Sequence, residues 1–178
     1  NINVPKFTTI KFNELINNQE ELNELIDNNK NKSIKQLSKI LKKYIKENIN
    51  KNIKYNLKSN LLAIRSSSNI EDGEHNSFAG QFDTYLNVPK EEVLDKIILC
   101  TESLYNENVL TYIKEKNIDI KELKMNIIIQ EMINSEYSGI LFTSNPQGLL
   151  NESVIVVGKG LGTNVVEDKI DTTSYYYN

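Results

Sequence analysis

Arg65 stands at the end of the apolar run Leu61–Ile64 and is followed by Ser66, Ser67 and Ser68. It opens the stretch Leu61 to Val88, where several chemically purposeful residue types come together. Four apolar residues bounded by polar ones read as a buried strand that carries the guanidinium to its exposed end. From Ser66 to Asn76 the residues are mostly hydroxyls, amides and carboxylates with one glycine, a composition that belongs on a surface loop. Beyond it, Phe82, Thr84, Leu86 and Val88 alternate with Gln81, Asp83, Tyr85 and Asn87, which predicts a strand with one covered face. Gly80 falls where the backbone must bend or let another group approach. A planar cation, hydroxyl donors, backbone N–H groups and a glycine are what a polyphosphate requires. The same composition also suits an ordinary hairpin whose arginine makes a surface ion pair.

The flanking elements follow from periodicity. Asn1 to Ile10 reads as an edge strand, which tolerates Pro5. Apolar positions from Phe12 to Ile26 keep helical spacing across a polar interruption, as one helix or two short ones. Ser33 and Gln36 form a capping-box pattern ahead of Ile34, Leu37, Ile40, Leu41, Tyr44 and Ile45, an amphipathic helix whose lysines form its solvated face. Residues 48–60 lack periodicity and serve as a linker. Pro89 and the acidic pair Glu91 and Glu92 open a helix with Val93, Ile97, Cys100 and Leu104 as its buried stripe, and a further helix covers Val109 to Lys116. Cys100, on that stripe, is a core residue rather than a nucleophile. The spacing then predicts strands over 123–133, 139–143, 153–157 and 164–170, with Ile127, Ile128 and Ile129 buried on both faces. Gly158-Lys159-Gly160-Leu161-Gly162 fits neither the dinucleotide fingerprint nor the P-loop, since Thr163 stands where each would need another residue. It is a turn, either near phosphates or simply for its geometry.

The ordered set Arg65-Ser66-Ser67, Glu71-Asp72, Ser77 to Gln81, Asp83-Thr84 and Leu86 to Val88 resembles the ATP-binding domain shared by phosphoenolpyruvate synthase, pyruvate phosphate dikinase and rifampicin phosphotransferase. The likeness continues through Cys100, Ser103-Leu104, Gln130 with Met132, Ser138 to Thr143, Asn145-Pro146 and Gly160 to Gly162. It departs at Thr101, Asn108-Val109 and Thr163. The resemblance implies an α+β, ATP-grasp-like, two-lobed fold of mixed or antiparallel sheets with packed helices, incomplete at both ends. Residues 1–126 would form the first lobe with a phosphate lid at 61–88, and 127–178 the start of the second, with nucleotide between them. It implies ATP and Mg²⁺ as cofactors, with the metal ligands outside this chain. Arg65 would contact the polyphosphate, Gly80 and Thr84 would contact ATP from the lid, and Gln130 would read the base. The implied reaction passes the β-phosphate of ATP to a histidine on a separate domain and then to pyruvate. An antibiotic acceptor and a non-catalytic nucleotide-binding module are the alternatives. His75 lacks the glycine-rich setting of that histidine, so no catalytic residue is assigned here.

Composition narrows the partners. With 39% hydrophobic residues in 178, the chain can bury one core or two small lobes. Twenty-one basic residues against 24 acidic ones, for a net charge of −3, give no global field for nucleic acid. No run reaches the length of a membrane span, and the single cysteine suits a reducing compartment, so a cytoplasmic protein is expected. Its expected partners are ATP and the other domains of a larger protein.

Overall fold

The computed structural model describes residues 3–70, 82–146 and 152–177, and they divide into two compact units at Met132 and Ile133. The first unit contains β1 (Phe7–Ile10), α1 (Phe12–Leu15), α2 (Gln19–Asn29), α3 (Ile34–Asn48), β2 (Leu61–Ser68), β3 (Thr84–Pro89), α4 (Val93–Ser103), α5 (Glu107–Glu115) and β4 (Met125–Glu131). The second contains β5 (Tyr137–Phe142), β6 (Ser153–Lys159), α6 (Gly162–Val166) and β7 (Thr172–Tyr177). The fold is α+β with two antiparallel sheets, ordered β1-β4-β2-β3 and β5-β6-β7. None of the described helices is long and apolar enough to cross a membrane.

The core of the first unit lies on one side of its sheet. Leu62 and Ile64 from β2 and Met125, Ile127 and Ile129 from β4 are fully buried there. Helix α4 packs directly on β2, β3 and β4, and α3 packs in turn on α4, α5 and α2. The stripe expected on α4 is buried throughout, with Ile97, Cys100 and Leu104 inaccessible. Each such apolar side chain contributes about 1.5–3 kcal/mol by leaving water. The Cys100 thiol donates to the Asp83 carbonyl at 3.3 Å, and burial, with the Asp83 charge nearby, pushes it up to about 12. It is a core residue. Ser33 caps α3, its Oγ accepting from the Gln36 N–H at 3.3 Å while the Gln36 side chain accepts from the Ser33 N–H. Lys35, Lys39, Lys43 and Lys46 are exposed on the opposite side of that helix.

Several elements differ from the periodicity reading. The 12–26 pattern resolves into two helices, because Ile16 pairs with Ile49 in a β-bridge and Asn18 caps a fresh start, its Oδ1 accepting from the Glu21 N–H at 3.1 Å. Residues 164–170 do not form a strand. Gly162 opens α6, Asp168 takes a left-handed φ of 53° after it, and β7 begins at Thr172. The division expected between 126 and 127 falls after Met132, since β4 pairs with both β1 and β2 inside the first sheet. Nor are the three isoleucines buried on both faces. Ile127 and Ile129 are inaccessible, but Ile128 is only partly covered, because among the described residues helices pack on just one face of the sheet.

One irregularity decides which side chains face which way on β3. Leu62 pairs with Val88 and Ile64 with Tyr85, so β3 carries one extra residue between these pairs, a β-bulge at Leu86-Asn87. Asn87 has φ 55°, a left-handed conformation that asparagine tolerates better than most residues. The bulge puts Tyr85 and Val88 on the core side and leaves Thr84 exposed beside Arg65. Without the bulge, simple alternation would set Thr84 on the same face as Val88. Replacing Asn87 with valine forces a β-branched residue into that conformation and should cost about 1–2 kcal/mol. Asn87→Gly should stay within about 0.5 kcal/mol of wild type. Urea denaturation of both variants measures the difference, and equal stabilities would reject this role for the bulge.

Candidate functional site

The uncovered face of the first sheet gathers polar side chains from sequence-distant strands. Arg65 on β2 pairs with Thr84 on β3 and with Ile128 on β4, so all three project from the same face. Gln130 lies two residues beyond Ile128 on β4, opposite Ala63 and Phe7, and shares that face. Diagonal neighbours of this kind lie about 7–8 Å apart, within reach of long side chains. Arg65 and Thr84 are exposed, while Gln130 and Ile128 are half-buried. Thr9 and Ser67, on the same face, add hydroxyls. The result is a cation, hydroxyl donors and an amide around a strip of apolar floor.

Three of the four residues named from the sequence are thus brought together, while Gly80 lies outside the described residues, as does His75. Arg65 is the chain's only arginine among 21 basic residues. Among the described residues no carboxylate lies within ion-pair distance of it. Sequence reasoning did not pick out Ile128 and Thr9, because membership of this face depends on strand register.

The end of β4 that carries Gln130 is held from three sides. The Glu131 N–H donates to the Lys6 carbonyl at 2.8 Å and the Met132 N–H to the Leu61 carbonyl at 3.1 Å. The Glu131 Oε1 accepts from the backbone N–H of Lys58 at 2.6 Å and of Ser59 at 3.2 Å. The Lys58 hydrogen bond above all, with that from Ser59, holds the Glu131 carboxyl below its usual range against the opposing pull of desolvation. The linker 48–60 is therefore tied to the strand that presents Gln130. In the second unit the Gly160 turn is locked as well. Gly160 has φ 92°, and its carbonyl accepts from Ser138 Oγ at 2.6 Å and Ser135 Oγ at 3.0 Å. No cluster of three or more metal-ligating side chains occurs among the described residues.

Comparison with known proteins places the chain in a family. Residues 5–178 match the family described as pyruvate phosphate dikinase, AMP/ATP-binding domain. A probable phosphoenolpyruvate synthase of Archaeoglobus fulgidus is 36% identical over 118 residues, 66% of this chain and 16% of that protein. The phosphoenolpyruvate synthase of Pyrococcus furiosus is 37% identical over 116 residues, covering 64% of this chain and 14% of its own. A rifampicin phosphotransferase of a Streptomyces species is 40% identical over 111 residues, 61% of this chain and 13% of that protein. The chain thus spans less than a fifth of the length of these relatives.

The Glu131 clamp makes a pH prediction. A carboxyl held below its unfolded value of about 4.3 adds stability that is present above that pH and is lost as pH falls through the lowered folded value. In an NMR titration the Lys58 amide should shift with a midpoint below about 4.3. In Glu131→Ala the Lys58 and Ser59 amides should lose that titration and their exchange protection at neutral pH. A midpoint at or above the unfolded value would contradict the clamp.

Proposed function

The chain belongs to the pyruvate phosphate dikinase AMP/ATP-binding domain family, and on that premise we propose that it is the ATP-binding portion of a phosphotransferase, with the uncovered face of the first sheet as its nucleotide bed. The observation that carries this reading is the convergence of Arg65, Thr84 and Gln130, from three separate segments, on one face with Ile128 between them. On this reading the Arg65 guanidinium neutralises polyphosphate oxygens and can do so in a bidentate way. Thr84 donates its hydroxyl alongside, and the backbone at Gly80 gives the phosphates room. The Gln130 amide offers one donor and one acceptor to an adenine edge, and Ile128 offers apolar contact to the ring. Catalysis of phosphoryl transfer is mostly positioning and charge neutralisation, and these residues supply both.

The fold is read as ATP-grasp-like, with the first unit, Asn1–Met132, belonging to a first lobe and the second, Ile133–Asn178, to the start of another. Bound ATP would supply the phosphoryl group, its β-phosphate passing to a histidine of another domain and then to pyruvate, with AMP left behind and the γ-phosphate released as inorganic phosphate. Names of the phosphoenolpyruvate synthase relatives favour that acceptor. The rifampicin phosphotransferase likeness favours a second reading, with the same nucleotide chemistry and an antibiotic hydroxyl as acceptor. Other domains of a longer protein would be the partners in either case.

Calorimetric titration with ATP tests the bed. Arg65→Ala should weaken binding by about 1.5–3 kcal/mol, roughly tenfold to a hundredfold, through loss of a charge-assisted contact. Gln130→Ala should chiefly reduce the preference for ATP over GTP. Unchanged ATP affinity in the arginine variant would reject the assignment. In the full-length parent, ATP binding without AMP formation would identify a sensor rather than an enzyme.

A further inference from the structure

On the helical side of the first unit, away from the strands, the ends of α2, α3 and α5 enclose a cleft of about 340 Å³. That volume falls at the lower end of the roughly 300–1,000 Å³ typical of small-molecule sites. The other two clefts described in this unit are about 100 Å³ each. Its floor is apolar: Ile34, Ile118 and Ile120 line it and remain partly exposed, with Leu37 and Leu110 buried among its lining residues. Its rim carries Lys30, Lys32 and Lys114, all exposed. None of these lysines takes part in an ion pair among the described residues. Asp119 is the one acidic lining residue; its Oδ1 accepts from the Lys121 backbone N–H at 3.0 Å, which fixes its orientation and leaves its charge in place. Nearby Asp27 is paired with the Lys121 ammonium at 2.7 Å.

This differs from a solvated lysine face. On α3 the lysines stand opposite a stripe that the core covers. Around the cleft, three lysines surround isoleucines that the core covers only in part, and in a concave place rather than on a convex helix. Apolar surface left in contact with water costs free energy that a ligand's hydrocarbon recovers, while three lysines against the one carboxylate of Asp119 leave a net positive rim that selects for negative charge. We propose that this cleft binds a small amphipathic anion, a carboxylate or phosphate monoester carried on an apolar body. Its lining residues all lie in 30–120 and none belongs to a strand, so the proposal goes beyond the ATP bed and does not depend on it.

Amide NMR titration of the chain with decanoate and with phenyl phosphate tests this, with decanol and inorganic phosphate as controls. At least one of the two anions should shift the Ile118 and Ile120 amides saturably. Decanol and inorganic phosphate should each bind at least tenfold more weakly than that anion. The double variant Lys32→Glu, Lys114→Glu should lose at least tenfold in anion affinity while its melting temperature and its ATP binding stay unchanged. Lys43→Glu, on the solvated side of α3, should change nothing. The proposal is overturned if neither anion binds or if decanol binds as well as decanoate. It is equally overturned if inorganic phosphate alone matches the anions, or if the folded double variant keeps its affinity.

Discussion

A four-stranded antiparallel sheet that is covered on one side only must divide its side chains by strict alternation, and that constraint organises the first unit. Ile64, Ile127 and Ile129 go to the helices, and Arg65, Ile128 and Gln130 are left on the other side with no choice in the matter. The buried half provides the stability that holds the strands in register. The uncovered half inherits that register at no further cost, so residues more than 60 positions apart stand together on a rigid support. A site on strands keeps its geometry better than a site made only of loops.

The rule has one exception, and it serves the same end. Pure alternation along β3 would set Thr84 on the covered side together with Val88. The bulge at Asn87 resets the alternation, so that Tyr85 and Val88 both reach the core and Thr84 joins Arg65. Tyr85 is then covered by Lys96, whose ammonium stands 5.3 Å from the ring centroid. Pinning is repeated at the strand ends. The Glu131 clamp, the Lys6 and Leu61 carbonyls and the Ser138 and Ser135 hydroxyls each tie a turn or linker to a strand edge.

How much of this could be read from the residues depended on the range of the interaction. Elements set by local pattern were legible: the capping box of α3, the buried stripe of α4, and Cys100 as packing. The strand expected at Leu61–Ile64 was read too short, since β2 runs on through Arg65 to Ser68, paired with β4 where a surface loop was expected. The expected ATP-binding motif placed Arg65, Thr84 and Gln130 in sequence before any geometry brought them to one face. What failed was non-local. Ile128 was taken for a buried residue because a β-branched run does not say how many of its faces are covered. The second-unit helix at Gly162 was hidden in a five-residue segment too short to show a period. The boundary at Met132 depended on β4 pairing with β1, some 120 residues earlier, which no window can detect. The surface loop from Ser66 also held Ile70, which is buried against the core.

The three consecutive isoleucines of β4 offer the most direct test, because neighbours in sequence lie on opposite faces. In methyl-labelled chain titrated with ATP, the account predicts that the Ile128 δ1 methyl shifts and saturates with nucleotide while those of Ile127 and Ile129 stay in place. If Ile128 stays silent at saturating ATP, or if the responding methyls are those of the buried pair, the uncovered face is not where this chain holds its nucleotide.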